Sequence, residues 1–450
     1  MCTDGKQLLI KQDGDVAGPD SSPATISPNS PDRSFFQKLG PGLVTGAADD
    51  DPSGIATYAQ AGARFGFGLL WTIVLTYPLM VAIQLISARI GQVTGKGLAT
   101  NIRRHYPAGL LYGIVALLVI ANTINIAADI AAMADALRLL IGGPTRVYVM
   151  AFGVLSVLLQ VFIPYASYVR VLKWLTLALL AYVATVFVVQ IPWGQVLVKT
   201  FVPTMAWNAD SVTMIVAIFG TTLSPYLFFW QASQEVEEQK ADPSAQPLKN
   251  LAVKDAGKVL KRIKLDTALG MAFSNLVAFF IILTTAVTLH TSGATTIETS
   301  AQAAEALRPI AGNFAFLLFS LGIIGTGLLA IPVLAGSAAY AMAGAFRWKN
   351  SLELKPTAAK KFYAIIAIST LVGVAINFMP IDPIKALFWS AVVNGVISVP
   401  IMVVMMLLAS RSDVMGKFTP SLRLKTLGWL STAVMAAAVC AMFWNMANSK

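Results

Sequence analysis

The chain has 450 residues, of which 56% are hydrophobic and only 12% are charged, with a formal net charge of +11. Soluble domains carry about 25% charged residues, so an ordinary soluble globule is excluded. The positive balance does not indicate a nucleic-acid partner, because the lysines and arginines lie in short segments beside long apolar stretches. The composition predicts an all-α integral membrane protein in the lipid bilayer, and it implies no obligate protein partner.

Residues 1–38 differ from the rest of the chain in being polar and rich in Ser, Pro, Asp and Gly. They contain no apolar core of the kind that defines a cleaved signal peptide. A segment of this composition buries too little apolar surface to fold by itself. We therefore predict a disordered cytoplasmic N-terminal tail over 1–38.

Beyond the tail, apolar blocks separated by helix breakers predict about eleven transmembrane helices, each near the length that crosses the hydrocarbon core. They cover 40–63, 67–92, 109–140, 146–165, 169–191, 209–231, 265–290, 311–344, 362–380, 384–409 and 426–447. The first ten make a predicted core over 39–410. Residues 411–450 hold the eleventh helix and its preceding loop.

The distribution of Lys and Arg predicts how these helices are oriented. With a cytoplasmic N-terminus, 26 of the 33 Lys and Arg residues fall in cytoplasmic segments, and every such segment carries at least two. Cytoplasmic loops of membrane proteins show this excess of positive charge. We therefore predict a cytoplasmic N-terminus and an extracellular C-terminus.

The first predicted helix contains a helix breaker near its middle. Pro52 removes a backbone N–H and crowds the preceding turn, and Gly54 relaxes the backbone. The break frees carbonyl groups such as those of Ala48 and Asp51. Freed carbonyls can point at a cation, so the sequence predicts an interrupted helix with oxygen ligands at the break. We expect Ala48 and Gly54 to belong to the metal site.

Three consecutive aspartates, Asp49, Asp50 and Asp51, lie at bilayer depth beside this break. A carboxylate inside a membrane is costly unless it has a partner, so the cluster indicates a cation site or a water-filled cavity. We expect Asp51, adjacent to the proline, and Asp49 to bind the cation. The alternative is that Asp49 and Asp50 cap the second half-helix or line a vestibule.

The third predicted helix carries a polar stripe. Asn122, Asn125 and Asp129 are spaced i, i+3 and i+7 and so share one face of the helix. The stripe indicates an aqueous path, and hydrogen bonding between helices would explain it equally well.

The sixth predicted helix is interrupted in the same way as the first. Pro225 breaks an apolar run, and Thr221, Thr222 and Ser224 supply hydroxyl and carbonyl oxygens beside it. We expect these three residues to be metal ligands. The alternative is a kinked helix whose Ser and Thr hydroxyls bond to their own backbone.

The tenth predicted helix carries Asn394 and Ser398, an i, i+4 pair. Asn394 is a candidate for binding a water on the ion. Because the two breaks lie five helices apart, two five-helix halves, about 39–191 and 209–410, would have opposite membrane topology. Paired interruptions of this kind indicate an inverted-repeat transporter with its site near the midplane.

Four short motifs follow one another at the start of the apolar region: Gly40-Pro41-Gly42, Asp51-Pro52-Ser53-Gly54, Gln60-Ala61-Gly62 and Leu70-Trp71. Together they resemble the opening of the NRAMP family of divalent metal transporters. The family has an Asp-Pro-Gly-Asn break in helix one and an Ala-x-x-Met-Pro-His break in helix six. The resemblance implies a LeuT-like fold of two inverted five-helix repeats plus one extra helix, working by alternating access. It also implies a multi-pass protein of the bacterial inner membrane that is not an enzyme and carries no cofactor besides the transported ion.

The chain departs from the family pattern at the positions that select the ion. The family's aspartate falls on Asp51, but its asparagine falls on Gly54 and its methionine on Ser224. Its alanine carbonyl falls on Thr221, and its histidine on Tyr226. The pattern resembles the NRAMP-related magnesium transporters. Oxygen-only ligands suit Mg²⁺ and Mn²⁺, and Mg²⁺ keeps several of its waters.

The departures also bear on coupling to protons. The family's proton-accepting aspartate in helix three falls on Ile126, and its nearby glutamate falls on Asp129. The chain has only two histidines, His105 and His290, and neither lies in a mid-membrane polar stretch. We therefore expect import of partly hydrated Mg²⁺, and also Mn²⁺, without proton co-transport.

Four other functions compete with this interpretation. A proton-coupled Mn²⁺ or Fe²⁺ symporter of ordinary NRAMP type would require a methionine at position 224 and a titratable residue at position 126, where this chain has Ser224 and Ile126. A divalent cation channel would use the same oxygens. A membrane aspartyl hydrolase normally takes its two acids from separate helices. A carrier of small organic solutes would repel carboxylate substrates with its three aspartates.

Overall fold

The computed structural model describes residues 41–163, 176–204, 207–241, 246–251, 253–380 and 382–448, and every regular element in these ranges is helical. The predicted tail over 1–38 lies outside the described residues. So does the first part of the fifth predicted span, whose described remainder is a 3₁₀ turn, Thr176–Leu179, and a short helix, Leu180–Thr185. The domain boundaries stay predictions.

The described α-helices are labelled in chain order. They are α1 Pro41–Asp49, α2 Pro52–Phe65, α3 Leu70–Thr94, α4 Leu98–His105, α5 Ala108–Ile141, α6 Thr145–Phe162, α7 Leu180–Thr185, α8 Trp193–Phe201, α9 Ala209–Thr222, α10 Pro225–Ala241, α11 Val253–Thr285, α12 Ser300–Glu305, α13 Arg308–Ala311, α14 Ala315–Phe346, α15 Lys360–Ile376, α16 Pro383–Ser410, α17 Ser412–Met415 and α18 Leu422–Asn448. A π-helical turn, Ala286–His290, continues α11.

Eight helical stretches in the described ranges are long and apolar enough to cross a membrane. One of them, Pro52–Thr94, is 43 residues long and contains both α2 and α3, joined by the 3₁₀ turn Gly66–Leu69. Helix α15, at the ninth predicted span, has 17 residues. The protein is therefore a multi-pass membrane protein. The total of eleven spans, the inverted repeat and the orientation of the termini stay predictions.

Both predicted helix interruptions are confirmed. Helix α1 ends at Asp49 and α2 begins at Pro52, with Asp51 between them in an extended conformation. Helix α9 ends at Thr222 and α10 begins at Pro225. In each case the proline stands at the first position of the second half-helix, where its missing N–H costs no hydrogen bond.

The halves of the broken helices are held by close backbone contacts at glycines. Helix α1 packs on α11, and α9 packs on α16. A Cβ atom on Gly46 would overlap the backbone of Gly270, and a Cβ atom on Gly220 would overlap the backbone of Ala391 and Gly395. These contacts fix how far each half-helix stands from its neighbour, and therefore where the breaks lie.

We expect Gly46→Ala to lower the stability of the folded protein, because the added methyl group meets the Gly270 backbone and no side chain there can rotate away. Overpacking of this kind costs about 1–3 kcal/mol. Thermal unfolding of the detergent-solubilised protein measures the change. Gly113→Ala in α5 is the matched control, because nothing lies within 4 Å of the added atom. Equal melting temperatures for the two variants would contradict the prediction.

Candidate metal site

The carboxylate of Asp51 lies at the centre of the first break. Its Oδ1 accepts hydrogen bonds from the backbone N–H of Gly54 at 2.8 Å and the hydroxyl of Ser53 at 2.7 Å, so Asp51 caps α2. Its Oδ2 accepts from the side-chain amide of Asn125 at 3.0 Å and lies 3.5 Å from the hydroxyl of Tyr226. The side chain is buried, at 2% exposure. A negative charge is thus held in the break by neutral donors from three helices.

The two breaks face each other across this carboxylate. The hydroxyl of Tyr226, one residue into α10, donates to the carbonyl of Ala48 in α1 at 3.1 Å. The hydroxyls of Thr221 in α9 and Tyr58 in α2 lie 2.9 Å apart. Each half of one broken helix therefore contacts a half of the other.

Two further predicted site residues, Ala48 and Gly54, lie on either side of the first break and differ in their contacts. The carbonyl of Ala48 already accepts the Tyr226 hydroxyl hydrogen bond. Gly54 donates its N–H to Asp51, and a Cβ atom added to it would lie 3.4 Å from the ring of Tyr58 and 3.5 Å from Asp51 Oδ1, both ordinary contact distances. The position of Gly54 is therefore closely packed, with Tyr58 and the Asp51 carboxylate at contact distance.

The hydroxyls of the second break bond to their own helix. Ser224 Oγ donates to the carbonyls of Gly220 at 2.8 Å and Thr221 at 2.7 Å. Thr222 Oγ1 donates to the carbonyl of Ile218 at 3.0 Å. This is the alternative that the sequence left open for these residues. A hydroxyl that donates in this way keeps its oxygen lone pairs, and those remain able to face a cation.

Thr221 is the member of this group that reaches the first broken helix. Its Oγ1 lies 2.9 Å from both the carbonyl of Ile218 and the hydroxyl of Tyr58. Because a hydroxyl has one proton, Tyr58 donates to Thr221 when Thr221 donates to Ile218. The Thr221 oxygen therefore lies beside the first break.

Asn394 is linked to Asp51 through another side chain. Its Nδ2 lies 3.4 Å from Oδ1 of Asn125, and Nδ2 of Asn125 donates to Asp51 at 3.0 Å. Oδ1 of Asn394 is buried and has no hydrogen-bond partner among the residues that the structure describes. Asn125, which belongs to the polar stripe of α5, thus links the predicted site residues Asp51 and Asn394.

Asp49 and Asp50 face α11. A single hydroxyl, that of Ser274, lies 2.6 Å from Oδ2 of Asp49 and 3.0 Å from Oδ1 of Asp50. The other oxygen of each carboxylate is buried without a hydrogen-bond partner in the described part of the chain. Ser274 is a site residue that the sequence analysis missed, because one serine in an apolar helix gives no signal of its own.

We expect Ser274→Ala to destabilise the protein by about 1–3 kcal/mol, because it leaves two buried carboxylates without their shared donor. The melting temperature of the purified protein checks this. Ser292→Ala is the control, since Ser292 is exposed and donates only to the nearby carbonyl of Leu289. If the two variants have the same melting temperature, the Ser274 hydroxyl does not stabilise the buried carboxylates of Asp49 and Asp50.

Asp129 lies one helical turn beyond Asn125, and both of its carboxylate oxygens are buried with no partner within the described ranges. Among the described residues, no three His, Cys, Asp or Glu side chains are grouped so as to hold a metal ion. Of the predicted site carboxylates, Asp51 lies at the first break among neutral donors and Asp49 faces Ser274 of α11, and metal binding at either one stays a prediction.

Both histidines, and Met133 of α5, contact other parts of the chain. The Nδ1 atom of His105 lies 2.9 Å from the carbonyl of Asn101, and that of His290 lies 2.8 Å from the carbonyl of Ala63. The side chain of Met133 packs in the space that Gly327 leaves open. None of these contacts involves Asp51.

The fold and the sequence both match known transporters. The model of the natural resistance-associated macrophage protein-like (Nramp) family matches residues 42–445. A mutant of the Eremococcus coleocola manganese transporter superposes with a TM-score of 0.70 at 18% identity, over 92% of this chain and 88% of that one. The same transporter with a bound aromatic bis-isothiourea compound gives a TM-score of 0.68 at 18% identity, over 94% and 90% of the two chains.

A more distant match is Mhp1, a nucleobase-cation-symport-1 family transporter, with a TM-score of 0.56 at 13% identity over 90% of this chain and 92% of that one. At these identities the structural matches establish the fold, and the family match establishes the relationship. The chain belongs to the Nramp family of divalent metal transporters.

Proposed function

We propose that the protein is a secondary transporter that imports Mg²⁺, and also Mn²⁺, in partly hydrated form, by alternating access and without proton coupling. The observation that carries the proposal is the buried Asp51 carboxylate between two facing helix breaks, surrounded by hydroxyl, carbonyl and amide groups. A doubly charged ion offsets the cost of burying this carboxylate in the membrane.

The preference for Mg²⁺ rests on the chemistry of the ligands. Ser224 provides a hydroxyl where the family pattern has a thioether, so the site lacks the soft ligand that favours transition metals there. Gly54 has no side chain where the pattern has an asparagine. A set of oxygen ligands suits Mg²⁺, which gives up its waters reluctantly.

The absence of proton coupling rests on the residues that face the site. Ile126, at the position of the family's proton acceptor, is buried and packs against Gly373 of α15. Both histidines bond to backbone carbonyls away from Asp51. Transport is then driven by the metal gradient and the membrane potential, which is worth about 4.6 kcal/mol per 100 mV for a divalent ion.

Uptake into proteoliposomes tests the proposal. With a pH dye inside, we expect saturable Mg²⁺ and Mn²⁺ uptake, competition between the two ions, and no change in internal pH during uptake. Cd²⁺ should have no advantage over Mn²⁺. Uptake that favours Cd²⁺ and is insensitive to Mg²⁺ would contradict the proposed ion, and metal-dependent acidification would contradict the proposed coupling.

A proton-coupled Mn²⁺ or Fe²⁺ symporter is the second candidate. The buried carboxylate of Asp129, which has no hydrogen-bond partner among the described residues, favours it. Internal pH during metal uptake, measured for the native chain and for Asp129→Asn, distinguishes the proton-coupled symporter from the uncoupled transporter. In a proton-coupled symporter this variant abolishes acidification, whereas in an uncoupled transporter the native chain and the variant both leave internal pH unchanged.

A further inference from the structure

A cavity of about 620 Å³ opens between α3, α11 and α18, apart from the two helix breaks. Its walls are mostly apolar. On α3 they include Val81 and Leu85, on α11 Leu260 and Ile263, and on α18 Leu427. The cavity is therefore shaped by three helices that do not close completely against one another.

Three basic side chains line the same cavity. Arg89 stands near the C-terminal end of α3, Lys264 in the first half of α11, and Arg423 at the second position of α18. None of them forms an ion pair or a side-chain hydrogen bond with any residue that the structure describes. The wall of the cavity thus combines apolar side chains with three uncompensated positive charges.

On α3 and α18 the basic residue lies at one end of the lining and the apolar residues follow it, whereas on α11 Lys264 lies beside Ile263 and one turn after Leu260. On α3 the lining residues run from Tyr77 to Arg89, which at 1.5 Å per residue is about 18 Å. At the end of the α3 lining opposite Arg89, the hydroxyl of Tyr77 donates to the carbonyl of Ala268 at 3.2 Å, so this polar group is satisfied. This length is close to half of a hydrocarbon core about 30 Å thick.

We propose that this cavity binds an anionic phospholipid, with its acyl chain along α3 and its phosphate among Arg89, Lys264 and Arg423. Basic pockets between transmembrane helices are suited to anionic headgroups, and the apolar wall suits an acyl chain of one leaflet. All three cations belong to segments that the charge distribution places on the cytoplasmic side. The proposal does not depend on which ion is transported.

The full-length protein in mild detergent provides the test, with retained lipid measured by native mass spectrometry. Phosphatidylglycerol and phosphatidylcholine of identical acyl chains are the probes. We expect the native chain to retain phosphatidylglycerol preferentially. Each of Arg89→Gln, Lys264→Gln and Arg423→Gln should lower this preference about fivefold, and the triple variant should abolish it.

A charge-matched control excludes a general effect of net charge. Lys349→Gln, Lys355→Gln and Lys360→Gln together remove three exposed cations from the predicted cytoplasmic side without touching the cavity. This triple variant should keep the native preference. Equal retention of the two lipids by the native chain would overturn the proposal, and so would an equal loss in both triple variants.

Lipid-induced stabilisation gives an independent readout. Added phosphatidylglycerol should raise the melting temperature of the native chain and of the control triple variant, but not that of the cavity triple variant. Glycerol phosphate, which carries the charge without the acyl chains, should stabilise none of them. Stabilisation by glycerol phosphate equal to that by the lipid would show a simple anion site and overturn the proposal.

Discussion

Asp51→Asn should strongly lower the apparent affinity for Mg²⁺ and Mn²⁺ in uptake while leaving the protein folded. Asparagine is as good a helix cap as aspartate, so the hydrogen bond from Gly54 that starts α2 survives. The formal charge is lost, however, and removing one charge from a buried pair costs about 2–5 kcal/mol. We therefore expect the apparent affinity for the metal to fall about 30-fold or more.

Initial uptake rates over a range of metal concentrations measure this effect, with the melting temperature recorded in parallel. Asp382→Asn is the matched control, because Asp382 caps α16 through the same kind of hydrogen bond, to Ile384 at 2.9 Å, and lies away from the breaks. Uptake by Asp51→Asn at the native rate would show that the metal does not bind at this carboxylate. Loss of uptake with an equally large loss of stability would assign Asp51 a structural role.

The two helix breaks could be predicted from sequence because their causes are local. Pro52 and Pro225 each remove a donor that a continuing helix needs, and that consequence does not depend on the surrounding structure. Asp51 and Thr221 are close to these prolines in the sequence, so their position beside the breaks follows from the positions of the prolines. The all-helical membrane fold could be predicted for a similar reason, since apolar stretches of this length have few alternatives.

The direction of the polar side chains could not be predicted, because it depends on contacts between distant segments. The Ser274 hydroxyl meets Asp49 and Asp50 only because α11 packs on α1 through Gly46 and Gly270. The Tyr226 hydroxyl meets the Ala48 carbonyl only when the two breaks stand opposite each other. Sequence spacing places residues on a helical face but does not identify the facing partner.

The hydroxyl groups of the second break illustrate the remaining ambiguity. The hydroxyls of Thr222 and Ser224 can either face a cation or donate to carbonyls of their own helix. The sequence is compatible with both arrangements. In the structure both donate to their own helix. Serine and threonine make such local bonds readily, which is why their presence at a break does not by itself define a ligand.

Ser224→Met should shift selectivity toward Cd²⁺. The native Ser224 hydroxyl bonds to the carbonyls of Gly220 and Thr221 in the last turn of α9, and the substitution frees these carbonyls while adding a thioether. Thioether ligands favour soft metals. We expect the ratio of Cd²⁺ to Mg²⁺ uptake to rise on the order of tenfold, or about 1.4 kcal/mol of discrimination.

Ser224→Ala separates the two consequences of this change, because it frees the same carbonyls without supplying sulfur. Alanine should leave the Cd²⁺ to Mg²⁺ ratio near its native value, so that the difference between the two variants measures the thioether alone. Equal ratios for methionine and alanine would show that the residue at position 224 does not face the ion. Because Ser224 is buried and follows the close contact at Gly220, the melting temperatures must also be compared. A selectivity shift in a methionine variant as stable as the alanine variant would place the side chain at position 224 beside the metal.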